Sequence, residues 1–159
     1  MLEQQIEKKV IEILKGFFID EKLNHFIEFS GLYSVDENKC TEDKKPVLIT
    51  VKVSPPTFET PTIPDSQIQI DVSCIVRSDI DYDGKTYLQI IDVLSKIFYT
   101  LQLKFKDVYQ SFHIPYMFDP TGLVVSNGDS GVEREQCLFF YTRTINLYGI
   151  ICCCYTKKF

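Results

Sequence analysis

With 159 residues, 45% of them hydrophobic and 25% charged, the chain is long enough for one domain to bury a core. Its net charge of −5 and 17 scattered Lys and Arg argue against nucleic-acid recognition, because phosphate binding needs clustered cations. No stretch reaches the ~20 apolar residues of a membrane helix.

The opening MLEQQIEKKVIEILKG carries charge throughout and lacks a signal peptide's apolar centre and cleavage site, so synthesis and retention in a cytoplasm are expected. Within it Leu2, Ile6, Val10, Ile13, Leu14 and Phe17 recur at helical spacing, with Glu3, Glu7, Lys8 and Glu12 between them. This predicts an amphipathic helix over 2–17, ended by Gly16 and the aromatic pair after it. Residues 18–29 fit either a short second helix or irregular cover. SVDENKCTEDKKP, residues 34–46, reads as an exposed loop.

Val47, Ile49, Val51 and Val53 alternate with Leu48, Thr50 and Lys52, which predicts a strand. SPPTFETPTIPDS then places four prolines in thirteen residues, an extended excursion over 54–66 that cannot belong to a central strand. Ile68, Ile70, Val72, Cys74 and Val76 against Gln67, Gln69, Asp71 and Ser73 form the cleanest alternation in the chain. Thr86 to Leu101 reads as a helix whose stripe, Leu88, Ile91, Leu94 or Ser95, Phe98 and Leu101, is broadened by Ile90, Val93 and Ile97. Leu123 to Ser126 is a short strand, and NGDSG at 127–131 a hairpin turn. Residues 136–155 read as strand almost without interruption, with Phe139, Tyr141, Arg143, Ile145 and Leu147 on one face and a bend or bulge at Gly149.

These elements predict a single two-layer α+β domain over 1–159: a mainly antiparallel sheet covered on one face by two helices. Strands 47–53 and 67–77 should pair antiparallel. The loops at 34–46, 54–66 and 127–131 should lie exposed.

SDIDYDGKTYLQ places Asp79, Asp81 and Asp83 at alternate positions before Gly84, as a calcium loop of the EF-hand type begins. Such a loop closes on a bidentate Glu at its twelfth position, and here that position is Ile90. A turn from strand to helix explains the same residues, since Asp and Gly supply turn chemistry and aspartates complement a helix N-terminus. The turn is the reading adopted, with no metal and no cofactor expected. The six cysteines show no C-x2-C spacing, and Cys152, Cys153 and Cys154 are consecutive, so free thiols are expected. His25 and His113 stand alone, and no nucleophile lies beside a base in sequence, so no catalytic residue is nominated.

The layout resembles the tail terminator (tail completion, neck) proteins of long-tailed bacteriophages. The likeness rests on the helix IEKKVIEILKGFF, the strand KPVLITVKV with a loose connection after it, and the polar-faced strand DSQIQIDVSCIVRSD. DYDG then leads into the helix TYLQIIDVLSKIFYTL, and CLFFYTRTINLYGIICC closes the chain. The long loop 34–46 and the excursion 54–66 depart from that pattern and leave open a neighbouring role in the head-to-tail connector. The resemblance implies a structural virion protein with no catalysis, assembled in the host cytoplasm into a ring, expected as a hexamer. Its partners would be other copies of itself, the tail tube protein and the head-tail connector protein. Ring closure is expected through the proline-rich excursion, the turn at 127–131 or the long terminal strand. Two other classes stay open: a small ligand- or calcium-binding module on Asp79, Asp81 and Asp83, and an enzyme with its site where the proline loop meets the terminal strand.

Overall fold

The computed structural model describes residues 1–23, 27–33, 47–58, 65–77, 85–127, 132–135 and 138–156. The stretches that alternate most cleanly form its centre. Strand β1 is Ile27–Gly31, β2 Val47–Val53, β3 Thr57–Phe58, β4 Asp65–Arg77, β5 Phe118–Ser126, β6 Val132–Glu135 and β7 Leu138–Ile151. Among the described residues these seven strands make one open sheet in the order β1-β2-β4-β7-β5, with β3 alongside β4 and β6 alongside β7. Only β1 and β2 run parallel; every other pair is antiparallel, including β2 with β4, where Val47 faces Val76 and Val53 faces Ile70.

Alternate side chains of a strand point to opposite faces. One face therefore carries Val47, Ile49, Val51 and Val53 beside Ile68, Ile70, Val72, Cys74 and Val76, each at most 1% exposed. Helices α1, Leu2–Asp20, and α2, Lys85–Leu103, seal that face. Leu2, Ile6, Val10, Leu14 and Phe18 form one row of α1 at four-residue spacing and are buried, with the helix lying over β2. Helix α2 lies against β5 and buries Ile90, Val93, Leu94, Ile97, Phe98 and Leu101. Its stripe is rotated from the expected one, since Leu88 is exposed. The short helix α3, Phe105–Val108, and the 3-10 turn Tyr109–Phe112 lead from α2 back to the sheet. The result is the expected two-layer α+β arrangement.

Several sequence expectations need correction. Helix α1 does not stop at Gly16. One glycine costs a helix about 1 kcal/mol, less than the ~1.5–3 kcal/mol gained by burying a large apolar side chain, and Phe18, fully buried, lies beyond it. Of the ambiguous stretch 18–29, the first residues complete α1 and the last begin strand β1. The excursion after β2 is anchored at its base, for Ser54 N–H donates to Gln69 O at 2.9 Å and Thr57 and Phe58 pair with Gln67 and Ser66. Most of the expected turn, residues 128–131, lies outside the described residues; on either side of it Ser126 pairs with Thr144 and Val132 with Tyr141, so β5 and β6 lie along the same edge of β7. β6 is itself antiparallel to β7, with Glu135 opposite Leu138.

The terminal strand is central. β7 pairs with β4 from residue 138 to 150 on one side, and with β5 and β6 on the other. It ends at Ile151 because its ladder ends there: β4 begins opposite Ile150 and β5 opposite Ile151. The chain then turns into a short helix α4, Cys153–Thr156, so Cys152 to Cys154 do not alternate along a strand. Gly149 keeps its register, and the irregularity lies across from it, between Pro120 and Gly122 of β5. A side chain there is excluded by the Phe118 ring, 2.3 Å from where a Cβ would stand.

Candidate functional site

The second face of the sheet is built from the other half of the same alternation. Gln67, Gln69, Asp71 and Ser73 of β4 lie between Thr50 and Lys52 of β2 and Thr142, Thr144 and Asn146 of β7. These side chains are half-buried or exposed, whereas their neighbours in sequence, Arg143 apart, are sealed. Several of them bond to one another, across the strands and along β4. Thr144 Oγ1 donates to Asp71 Oδ1 at 2.9 Å, and Gln69 Nε2 donates to the same oxygen at 3.3 Å. Gln67 Nε2 donates to Asn146 Oδ1 at 3.0 Å. A shallow hollow of about 340 Å³ lies over this network, with Lys52 and Asp71 as cross-strand neighbours at its middle. Towards one end the face turns apolar, where Leu48, Ile75 and Phe140 stand side by side. The surface thus presents paired donors and acceptors over a broad area, chemistry suited to contact.

Polar groups also enter the helix-covered side, and two of them, Glu7 and Arg143, join separate elements. Glu7, read from the sequence as part of the helix's polar face, is fully buried. Its two carboxylate oxygens accept the Tyr33 backbone N–H at 3.1 Å each, tying α1 to the end of β1. Gly31 makes room for it, since a Cβ there would sit 2.1 Å from Glu7 Oε1. Nothing in the helical pattern marks this glutamate, because its partner comes from another element.

The other is Arg143, on the helix-facing side opposite Val72. Its Nε donates to Tyr141 Oη at 2.7 Å and its guanidinium lies over the rings of Tyr141 and Tyr99 at 5.7 and 5.9 Å. Nη1 donates to Asn127 Oδ1, and Tyr141 Oη lies 3.2 Å from Ser95 Oγ. Burial pulls the Arg143 pKa down, but its bonds to Tyr141 and Tyr99 outweigh that and raise it, so the group stays cationic.

The expected alternative sites fare differently. Asp79, Asp81 and Asp83 lie outside the described residues, as does the loop 34–46. Among the described residues no three His, Cys, Asp or Glu converge as a metal site. His113 is half-buried after the 3-10 turn, with its backbone N–H donated to Gln110 O at 3.2 Å. The junction of the proline-rich segment with the terminal strand forms a hollow of about 330 Å³, lined by Leu2, Glu3, Pro56, Phe58, Ile151, Cys153 and Tyr155. That lining is mostly apolar, and Tyr155 Oη is occupied in accepting the Leu2 N–H at 3.3 Å. Cys74, by contrast, is sealed in the core, and burial pushes its thiol up to about 12.

A groove on the outer side of the helix layer was not visible in sequence. It holds about 460 Å³ between α1 (Glu12, Ile13, Gly16, Phe17, Ile19, Asp20), α2 (Thr100, Leu101) and the segment carrying Val108 and Ser111. Ile13 and Phe17 belong to the apolar pattern of α1; they pack at the margin of the core, partly buried, and also line this groove.

No family model matches the sequence, and no curated protein matches it closely enough to count as a relative.

Proposed function

We propose that the protein is a structural subunit of a long-tailed phage particle, a tail terminator that closes into a ring, caps the tail tube and meets the head connector. The observation that supports this best is the two-sidedness of the sheet: one face sealed by α1 and α2, the other a broad polar surface whose side chains bond to one another. Such a face offers many weak, geometrically fixed contacts over a flat area, as an assembly partner requires and a small-molecule pocket does not. β1 and β5 stand at the two ends of the strand order, and open strand edges are natural places for a neighbour to pair.

Strand pairing with a neighbour cannot use the terminal strand, because β7 is paired on both sides within its own chain. Ring contacts fall instead to the sheet's outer edges, its polar face and the helix layer. Among the described residues no helix is long and apolar enough to cross a membrane. Electron cryo-microscopy of assembled particles tests the proposal. Density for this chain as a ring at the tail-to-head junction is the expected result, and particles that lack it there overturn the reading.

A further inference from the structure

The turn between the 3-10 segment and β5 carries an unusual residue. Met117 N–H and Phe118 N–H both donate to Ile114 O at 3.0 Å, and Cys152 N–H fastens the turn by donating to Met117 O at 2.8 Å. Pro115 takes the second position of this turn and Tyr116 the third, where φ is +66°. Glycine is the favoured residue at a positive φ in such a turn, because a side chain there crowds its own backbone. Tyrosine occupies the position instead, and it is 81% exposed. A large aromatic ring is thus held in water, on a rigid turn, in a backbone conformation that opposes it. Folding gains nothing from this placement, whereas rigid exposed tyrosines are common anchors of protein interfaces.

The same chain carries a socket of fitting chemistry. Glu12, Gly16 and Asp20 lie on one row of α1 at four-residue spacing. A Cβ at Gly16 would meet nothing within 4 Å, so the row has a notch at its middle. Ile13, Phe17 and Leu101 supply an apolar lining, and the exposed carboxylates of Glu12 and Asp20 flank the notch as hydrogen-bond acceptors. A tyrosine ring entering over Gly16 buries its face on the lining and donates its phenol to one carboxylate. Tyr116 does not line this groove in its own chain.

We infer that Tyr116 of one copy seats in the Gly16 notch of the next, making a head-to-tail contact between copies of this chain. This rests on the ring reading and names the joint. Knob and socket are different patches, so the contact is heterologous and repeats from copy to copy until a ring closes.

The test uses the full chain with a photoreactive benzoylphenylalanine in place of Tyr116, at concentrations where sedimentation shows self-association or with tail tubes present. A cross-link to a second copy within residues 12–20 is expected. No cross-link between copies, or one that maps elsewhere, overturns the inference. In parallel, Tyr116→Gly and Gly16→Leu should each weaken self-association at least tenfold, while an equimolar mixture of the two should recover a heterodimer that grows no further. Both variants should keep the wild-type circular dichroism spectrum, and Tyr116→Gly should not lower the melting temperature. Particles with a normal ring made from Tyr116→Gly protein defeat the inference and leave the ring reading intact. A cross-link at 12–20 in a protein absent from the tail-to-head junction does the reverse.

Discussion

The two faces of β4 share one backbone and meet different solvents. Ile68, Ile70, Val72, Cys74 and Val76 are covered by helices, while Gln67, Gln69, Asp71 and Ser73 reach the surface, where the first three bond to their neighbours. The difference shows where this fold stores its stability and where it is free to vary. Apolar area withdrawn from water gives about 25 cal/mol per Å², whereas an exposed side-chain hydrogen bond exchanges one partner for water and gains about 1 kcal/mol or less. Function can therefore be placed on the open face at small cost to folding.

The largest expected contrast between sealed and accessible groups is chemical. With its thiol raised from 9.0 to about 12, Cys74 has roughly a thousandth of the thiolate that an unperturbed cysteine has at pH 8. Alkylation followed by peptide mass mapping should show exposed Cys153 labelled within minutes and Cys74 only as fast as the protein opens. Equal rates would break the contrast. The same shift couples stability to pH. The folded state favours the protonated thiol, so its contribution is whole below pH 9 and is lost as pH rises towards 12. Cys74→Ala should flatten that alkaline fall in chemical denaturation.

Mutation at the middle of the sheet sharpens the comparison. Ile70, fully buried opposite Ile145, should lose about 2–5 kcal/mol on change to Ala. Thr144→Ala, which removes one bond to Asp71 on the other face, should change stability by about 1 kcal/mol or less. Urea denaturation of the two variants measures both, and comparable losses would mean that the open face is covered in solution.

Two glycines give a smaller, opposite-signed pair. A Cβ at Gly149 would meet the Phe118 ring at 2.3 Å and the Asp119 carbonyl at 2.6 Å, so Gly149→Ala should cost about 1–3 kcal/mol. At Gly16 the space is open and the backbone helical, so Gly16→Ala should raise stability by about 0.5–1 kcal/mol. Thermal melts of both variants decide the signs.

Periodicity made much of the fold legible. Strands 47–53 and 67–77, their antiparallel pairing, and both long helices follow from patterns of two and of three to four residues, because those repeats record which face is dry. Strand β1 is short and carries Glu28 and Ser30 between Ile27, Phe29 and Gly31, too little to separate it from irregular cover. The order of strands was not legible. The apolar, aromatic run of β7 reads equally as an edge that seeks a neighbour or as a centre that has two, and only the register shows it to be the centre. NGDSG carries strong turn chemistry, yet the strands on either side of it, β5 and β6, both pair antiparallel with β7, a pairing set by long-range register.

The candidate surfaces divide in the same way. The polar face of β4 was written in the chain, since a half-buried strand must alternate. That the flanking strands continue this face with Thr50, Lys52, Thr142 and Thr144 depended on register, which long-range pairing sets. Glu7 reads as a solvent-facing helical residue until Tyr33 arrives from twenty-six positions away. Tyr116 reads as one aromatic among many until the Ile114–Phe118 turn fixes its φ, and the notch at Gly16 exists only once α2 and the 3-10 turn wall it in. Local sequence by itself determined which residues seek water and which avoid it, because that preference belongs to each side chain. Tertiary structure alone decided which of them meet, because contacts across a hundred positions depend on strand order and helix placement that no local pattern encodes.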